Sequence, residues 1–129
     1  MSKNGNLLLN VGPAANGTIS EIQRDRLQAL GKWLAVNGEG IFGSRPWVRP
    51  AAKTPDGIDV RFTRKGDSVY AYLFPAPQGA VTIPDVWTAE KTRVEMLGLP
   101  AELRWQQKGR DLVVTMPAKE GELYCATAG

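Results

Sequence analysis

The reactive side chains of this sequence are few, and their types set limits. Its carboxylates number thirteen, its cysteines one and its histidines none. Without imidazole there is no Ser-His or Cys-His couple, no histidine general base and no histidine metal ligand. The single thiol, Cys125, excludes an intrachain disulfide and a thiolate metal cluster. It stands in Leu123-Tyr124-Cys125-Ala126, where the expected role is a small buried strand residue rather than a nucleophile. Paired carboxylates remain, groups that can share general acid and base work. Asp56 and Asp59 are close in sequence, as are Glu120 and Glu122, but both pairs lie in or beside turn-like stretches and are expected to be solvated surface. There is no phosphate-binding glycine loop and no metal-ligand spacing, so no metal or cofactor is expected.

Flat apolar rings are the other candidates, because sugars stack on them. Of four tryptophans, Trp33 falls in a helical apolar stripe and belongs in a core. Trp47 follows that helix and is expected to fill a joint between two parts of the chain. Trp105 alternates with Arg104 and Gln106 and should face a sheet interior. Trp87, in Pro84-Asp85-Val86-Trp87-Thr88, sits where a loop can display it. It is the candidate carbohydrate-binding ring, although packing is the commoner use of a tryptophan.

Two kinds of element must position these groups. Leu7-Leu8-Leu9-Asn10-Val11, ending in Gly12-Pro13, reads as a buried parallel strand, and such strands need neighbours on both sides. Ser20-Glu21-Ile22-Gln23 reads as a capping box. Ile22, Leu27, Leu30, Trp33 and Leu34 then form one apolar stripe, and Asn37-Gly38 is expected to end the helix with a left-handed residue. From Ile58 the period changes. Ile58, Val60 and Phe62 alternate with Asp59, Arg61 and Thr63 as in a half-buried strand. Gly66-Asp67 turns the chain into residues 68–74, apolar on both faces, so that one face meets a core and the other meets something else. Further strands are expected at 80–83, 93–97, 103–107, 111–116 and 122–127, with a hairpin at Lys108-Gly109. About seven short antiparallel strands indicate a mainly β protein, a β-sandwich preceded by one strand–helix unit. Arg45-Pro46-Trp47-Val48-Arg49-Pro50, with Pro55 beyond, reads as a stiff linker. The expected division is therefore 1–47, a linker at 48–57, and a sandwich at 58–129.

At 129 residues the chain is sized for about one domain and is long enough to bury its own core. Sixteen basic against thirteen acidic residues leave a net charge of +3. The densest basic stretch, Arg61-Phe62-Thr63-Arg64-Lys65, reads as a solvated strand end, so nucleic acid is not expected as a partner. No apolar run approaches the ~18 residues of a membrane-spanning helix, and the first apolar run is too short for the core of a secretion signal.

Several blocks carry a resemblance. Asn4-Gly5-Asn6-Leu7-Leu8-Leu9-Asn10-Val11-Gly12-Pro13, Asn16-Gly17-Thr18-Ile19, Arg26-Leu27, Gly31-Lys32-Trp33-Leu34, Val36-Asn37-Gly38-Glu39 and Arg45-Pro46-Trp47 resemble the end of the catalytic domain in the α-L-fucosidases of glycoside hydrolase family 29. The similarity continues through Lys65-Gly66-Asp67-Ser68-Val69-Tyr70-Ala71, Met96-Leu97-Gly98 and Leu103-Arg104-Trp105. Gly40, Phe42 and Ser44 stand where the family usually has Ala, Tyr and Thr.

The resemblance implies a (β/α)8-like catalytic barrel followed by a C-terminal β-sandwich. Residues 1–47 would be the terminal strand and helix of that barrel, and its earlier strands would be the neighbours residues 7–11 require. The parent reaction would be retaining hydrolysis of α-L-fucosides, which uses two carboxyl groups about 5–5.5 Å apart. In the family those residues, and the sugar-binding histidines, lie upstream of the segment present here. No catalytic residue is therefore assigned, and this chain alone is expected to be inactive. Asn10 would lie near the barrel rim, where it can reach a sugar hydroxyl, although such an Asn more often caps turn backbone. The implied partners are a fucosylated glycan acting through the parent, a catalytic-barrel polypeptide, or a second copy paired through the first strand. The rivals are a stand-alone carbohydrate-binding module and a nonfunctional remnant. Members of the family are often secreted, periplasmic or lysosomal, and nothing in this sequence selects among those locations.

Overall fold

A computed structural model of the chain describes residues 1–118 and, as backbone, residues 125–128. The Glu120/Glu122 pair and the side chain of Cys125 lie outside the described residues. One long helix, α1 (Glu21–Asn37), runs into a 3-10 turn, η1 (Gly38–Gly40). Eight strands follow: β1 (Arg45–Lys53), β2 (Asp59–Lys65), β3 (Ser68–Phe74), β4 (Ala80–Ile83), β5 (Val94–Met96), β6 (Arg104–Lys108), β7 (Asp111–Thr115) and β8 (Cys125–Ala128). They form two antiparallel sheets, one ordered β1-β2-β3-β8-β5 and the other β4-β7-β6. The expected sandwich is present, with one strand more than the alternating pattern indicates.

The extra strand is β1, which occupies most of the stretch read as a linker. It pairs with β2 from Arg45↔Arg64 to Lys53↔Asp59, with a register shift between Pro46 and Ala51. Proline is tolerated here because β1 lies at a sheet edge and its missing N–H falls at the irregularity. Trp47 therefore does not fill a joint. It packs against the sandwich core, its ring centroid 5.1 Å from that of Phe62.

The core lies between the sheets. Val60 and Phe62 of β2 and Ala71 and Leu73 of β3 meet Val81 and Ile83 of β4 and Leu112 and Val114 of β7. Trp105 is half-buried against the same cluster. Strand alternation places these residues inward, and each large aliphatic or aromatic side chain so buried contributes roughly 1.5–3 kcal/mol. Both expected hairpins form with two-residue loops, Lys65 facing Ser68 and Lys108 facing Asp111. Each loop begins with a glycine at positive φ, Gly66 and Gly109, as tight primed turns require.

The second face of β3 meets the helix. Tyr70 and Tyr72 are buried beneath Trp33, Ile41 and Leu97, and the Trp33 and Tyr72 rings lie 6.1 Å apart. The Tyr70 hydroxyl donates to Glu39 Oε1 at 2.7 Å, and the Thr63 hydroxyl donates to the Gly40 carbonyl at 2.7 Å.

The helix ends are built differently from expectation. The Ser20 side chain makes no cap, and its carbonyl accepts from Arg24 N–H. Gln23 instead turns its Oε1 to the Gly12 N–H at 3.1 Å, which pins the loop ahead of the helix. At the other end Gly38 keeps helical angles, φ −63, and its need is for space: a Cβ there would lie 2.8 Å from the Phe42 ring. The left-handed residue that turns the chain into β1 is Gly43, φ +69.

Gly40 has the tightest surroundings. A Cβ on it would meet the Tyr72 hydroxyl and, at 2.6 Å, the Tyr70 ring. Gly31, inside α1, has nothing within 4 Å. Gly40→Ala should therefore lower stability by about 1–3 kcal/mol through overpacking. Gly31→Ala should raise it by about 0.5–1 kcal/mol through helix propensity. Urea unfolding of the two variants checks the opposite signs.

Candidate functional site

The principal surface feature follows from how residues 1–42 sit on the sandwich. Residues 7–11 form no strand, and the structure places them in neither sheet. This differs from the expected barrel strand for a simple reason: among the described residues no parallel neighbour is offered to them. Their apolar side chains consequently stand in solvent, Leu8 with 94% of its surface exposed. The loop behind them is ordered by local bonds. Asn16 Oδ1 accepts from the Thr18 N–H and hydroxyl at 3.1 and 2.7 Å, and Ala14 N–H donates to the Thr18 carbonyl at 2.7 Å.

An open groove of about 510 Å³ is lined by Leu7 and Leu9, by Leu30, Trp33 and Leu34 of α1, and by Phe42, Tyr72 and Phe74. Arg61 and Thr63 bring polar groups from β2. The helical stripe is thus used in halves. Leu27, Leu30, Trp33 and Leu34 are half-buried, whereas Ile22 and Val36 remain exposed. An apolar surface this continuous on one side of a small domain marks a place of contact.

Asn10, the candidate sugar ligand, lies exposed next to Leu9 in the chain, and its Oδ1 accepts from the Val11 N–H at 2.9 Å. That bond satisfies the neighbouring backbone amide, a local side-chain-to-backbone contact. A polar cleft of about 390 Å³ lies elsewhere, lined by Glu39, Ser68, Tyr70, Lys91, Arg93 and Glu95. Within its lining Glu39 accepts from the Tyr70 hydroxyl, and Arg93 pairs with Glu102 at 3.2 Å. Asp59 pairs with Lys53 at 3.1 Å, and Asp56 sits exposed in a turn closed by Gly57 N–H donating to the Thr54 carbonyl. Among the described residues no three carboxylate or thiol groups gather to hold a metal ion. No helix is long and apolar enough to cross a membrane.

Trp87 is displayed on the loop after β4, with 74% of its surface exposed. Sequence reasoning found the ring but missed what fixes it. Gln107 of β6 accepts from the Thr88 N–H and hydroxyl at 3.1 and 2.9 Å, and its amide donates to the carbonyls of Val86, Gly109 and Asp111 at 3.0–3.2 Å. The signal available was its alternation with Trp105, which places Gln107 on the core-facing side of β6 at the sheet end.

The architecture is thus an antiparallel sandwich carrying one docked helix and one uncovered apolar face, the form of an accessory unit joined to something larger. Residues 1–39 match the family model for α-L-fucosidase, and residues 56–128 match that for the α-L-fucosidase C-terminal domain. The chain belongs to the α-L-fucosidase family. It is 40% identical over 120 residues to the tissue α-L-fucosidase of Bos taurus, covering 91% of this chain and 25% of that protein. With the α-L-fucosidase of Branchiostoma floridae it shares 39% identity over 131 residues, covering 99% of this chain and 29% of that protein. The crystal structure of Thermotoga maritima α-fucosidase superposes with a TM-score of 0.87 at 37% identity, covering 99% of this chain and 31% of that one. The chain therefore spans between a quarter and a third of the length of these relatives, and corresponds to their C-terminal region.

The groove makes the first site-level expectation. The isolated chain should enhance the fluorescence of an apolar-surface dye and scatter light in a concentration-dependent way. The double variant Leu7→Asp/Leu9→Asp should suppress both by more than half. Its sandwich unfolding midpoint should stay within about 0.5 kcal/mol of the parent, because exposed positions contribute little to stability.

Proposed function

We propose that this chain is the structural C-terminal unit of an α-L-fucosidase, bracing a catalytic barrel through the groove between residues 7–9, α1 and the outer face of β2 and β3. The observation that carries this reading is the pairing of an uncovered apolar groove with an apolar segment, residues 7–11, that lacks sheet partners among the described residues. In a barrel that segment gains hydrogen-bonded strands on both sides, and the apolar half of α1 becomes the barrel's outer layer. Residues 1–47 would then complete the catalytic domain, and the β-sandwich would hold α1 at a fixed angle through Tyr70, Tyr72 and Trp33.

The reaction of the completed protein would be retaining hydrolysis of α-L-fucosides, with nucleophile and acid/base carboxylates supplied by the barrel. Asn10, Gly12 and Pro13 would lie toward the strand ends where such barrels open. There Asn10 would shape the loop through its bond to Val11 N–H. Its amide N–H groups would remain open to a fucose hydroxyl, although capping of turn backbone is the commoner role. Substrate specificity would be set upstream.

A chimaera tests this directly. The corresponding C-terminal segment of Thermotoga maritima α-fucosidase is replaced by this chain, and hydrolysis of 4-nitrophenyl α-L-fucoside is followed. The chimaera should be active and the 129-residue chain alone inactive. Trp33→Asp, which places a charge in the groove, should abolish soluble active chimaera. A folded but inactive chimaera, or saturable hydrolysis by the chain alone, would overturn the proposal.

A further inference from the structure

We propose that Trp87 is a carbohydrate-stacking platform, on the opposite layer of the sandwich from the groove. The assignment starts from an imbalance. A tryptophan side chain is the most profitable of all residues to bury, and this one is left mostly in solvent while its neighbour Val86 is 95% buried in the core. The loop is not a slack segment that happens to carry a ring. Gln107 ties it through Thr88 and the Val86 carbonyl on one side of the ring. On the other side Asp85 holds a left-handed backbone, φ +51, with its N–H donating to Asp111 Oδ1 at 2.9 Å. Arg49 and Arg110 both reach the Asp85 carboxylate, at 3.1 and 3.2 Å, and Arg49 also donates to the Pro84 carbonyl at 2.9 Å. Four residues, Arg49 of β1, Gln107 of β6, Asp111 of β7 and Arg110 of the β6–β7 turn, therefore converge to fix the loop that carries one exposed ring.

An exposed indole on a fixed loop, close in the chain to planar polar groups, is what a pyranose ring asks for. The C–H face of the sugar packs on the ring, and the equatorial hydroxyls at its edge meet carboxylate and guanidinium groups. Asp85 and Arg110 provide those groups two residues before the ring and across the hairpin, and the Arg110 side chain is 86% exposed, leaving its remaining donors open to a ligand. The pre-set loop matters because a single stacked sugar yields little free energy, and ordering a mobile loop would consume it. The position also fits. Trp87 belongs to the β4-β7-β6 side, whereas the groove opens on the outer face of β2 and β3. A glycan held here leaves the groove free for its own contact. The ligand class is a neutral oligosaccharide offering an unhindered pyranose face, and binding should be weak, in the millimolar range.

The test uses the 129-residue chain at low concentration, with lactose and 2′-fucosyllactose as probes and indole N–H signals as the readout. The expected result is saturable displacement of the Trp87 signal, with Trp33, Trp47 and Trp105 unmoved. Trp87→Ala should weaken binding roughly tenfold, Trp87→Tyr should retain much of it, and Gln107→Ala should weaken it while leaving the ring in place. Circular dichroism and the unfolding midpoint establish that each variant is folded. Absence of binding at 20 mM probe, in this order-of-magnitude range for single aromatic contacts, overturns the proposal. So does binding indifferent to Trp87→Ala, or displacement confined to Trp33. Carried into the chimaera, Trp87→Ala should leave its hydrolysis of 4-nitrophenyl α-L-fucoside unchanged. Loss of assembly there would make the ring a protein contact instead, and would overturn the sugar assignment without touching the role of the groove.

Discussion

One strand decides how the rest of this molecule can be arranged. In β3 every second side chain serves a different core: Ala71 and Leu73 point into the sandwich, Tyr70 and Tyr72 into the space under α1 and η1. A strand buried on both faces cannot lie at the surface of a simple two-layer sandwich, so a third layer is obligatory. The helix supplies it. Helices of this length are marginal alone, and α1 is held chiefly by the rings beneath it. The contact is close enough that Gly40 must lack a side chain, and Thr63 and Glu39 close it with hydrogen bonds.

The third layer covers only part of what it could. Trp33 packs on Tyr70 and Tyr72 and, with Leu30 and Leu34, lines the groove that Leu7 and Leu9 also line. The groove is lined mainly by apolar side chains, whereas the loop after β4 presents charged side chains and one exposed ring.

Period-two alternation made the sandwich legible, because Val60, Phe62, Val81, Ile83, Leu112 and Val114 are each inward for the reason the pattern states. The double-sided character of residues 68–74 was equally plain and correctly required a further layer. What escaped did so where several residues act together. Pro46 and Pro50 signal a break in chain propensity, yet an edge strand with an irregular register has no use for the N–H groups they lack. Gln23 and Gly38 carry the marks of standard caps, but tertiary contacts, with Gly12 and Phe42, recruit them for other work. At the candidate sites, the exposure of Trp87 was foreseeable from the loop around it. Its fixation by Gln107 was not, because the bonds span 19 to 21 residues of chain. Asp56 lies in an exposed turn as its surroundings indicated, whereas Asp59 opens β2 and pairs with Lys53, and Glu120 and Glu122 lie outside the described residues.

The central claim is that residues 7–11 lack sheet partners among the described residues. Amide hydrogen exchange resolved by residue, on the chain alone at low micromolar concentration where self-association is minimal, measures this directly. Strands β2 and β3 should show the protection of global unfolding, while the amides of residues 7–9 exchange at nearly the rate of an unstructured peptide. Protection of those amides equal to that of β3, in a monomer, would mean the segment finds its hydrogen-bonding partners within its own chain, and the picture of a brace awaiting a barrel would be wrong.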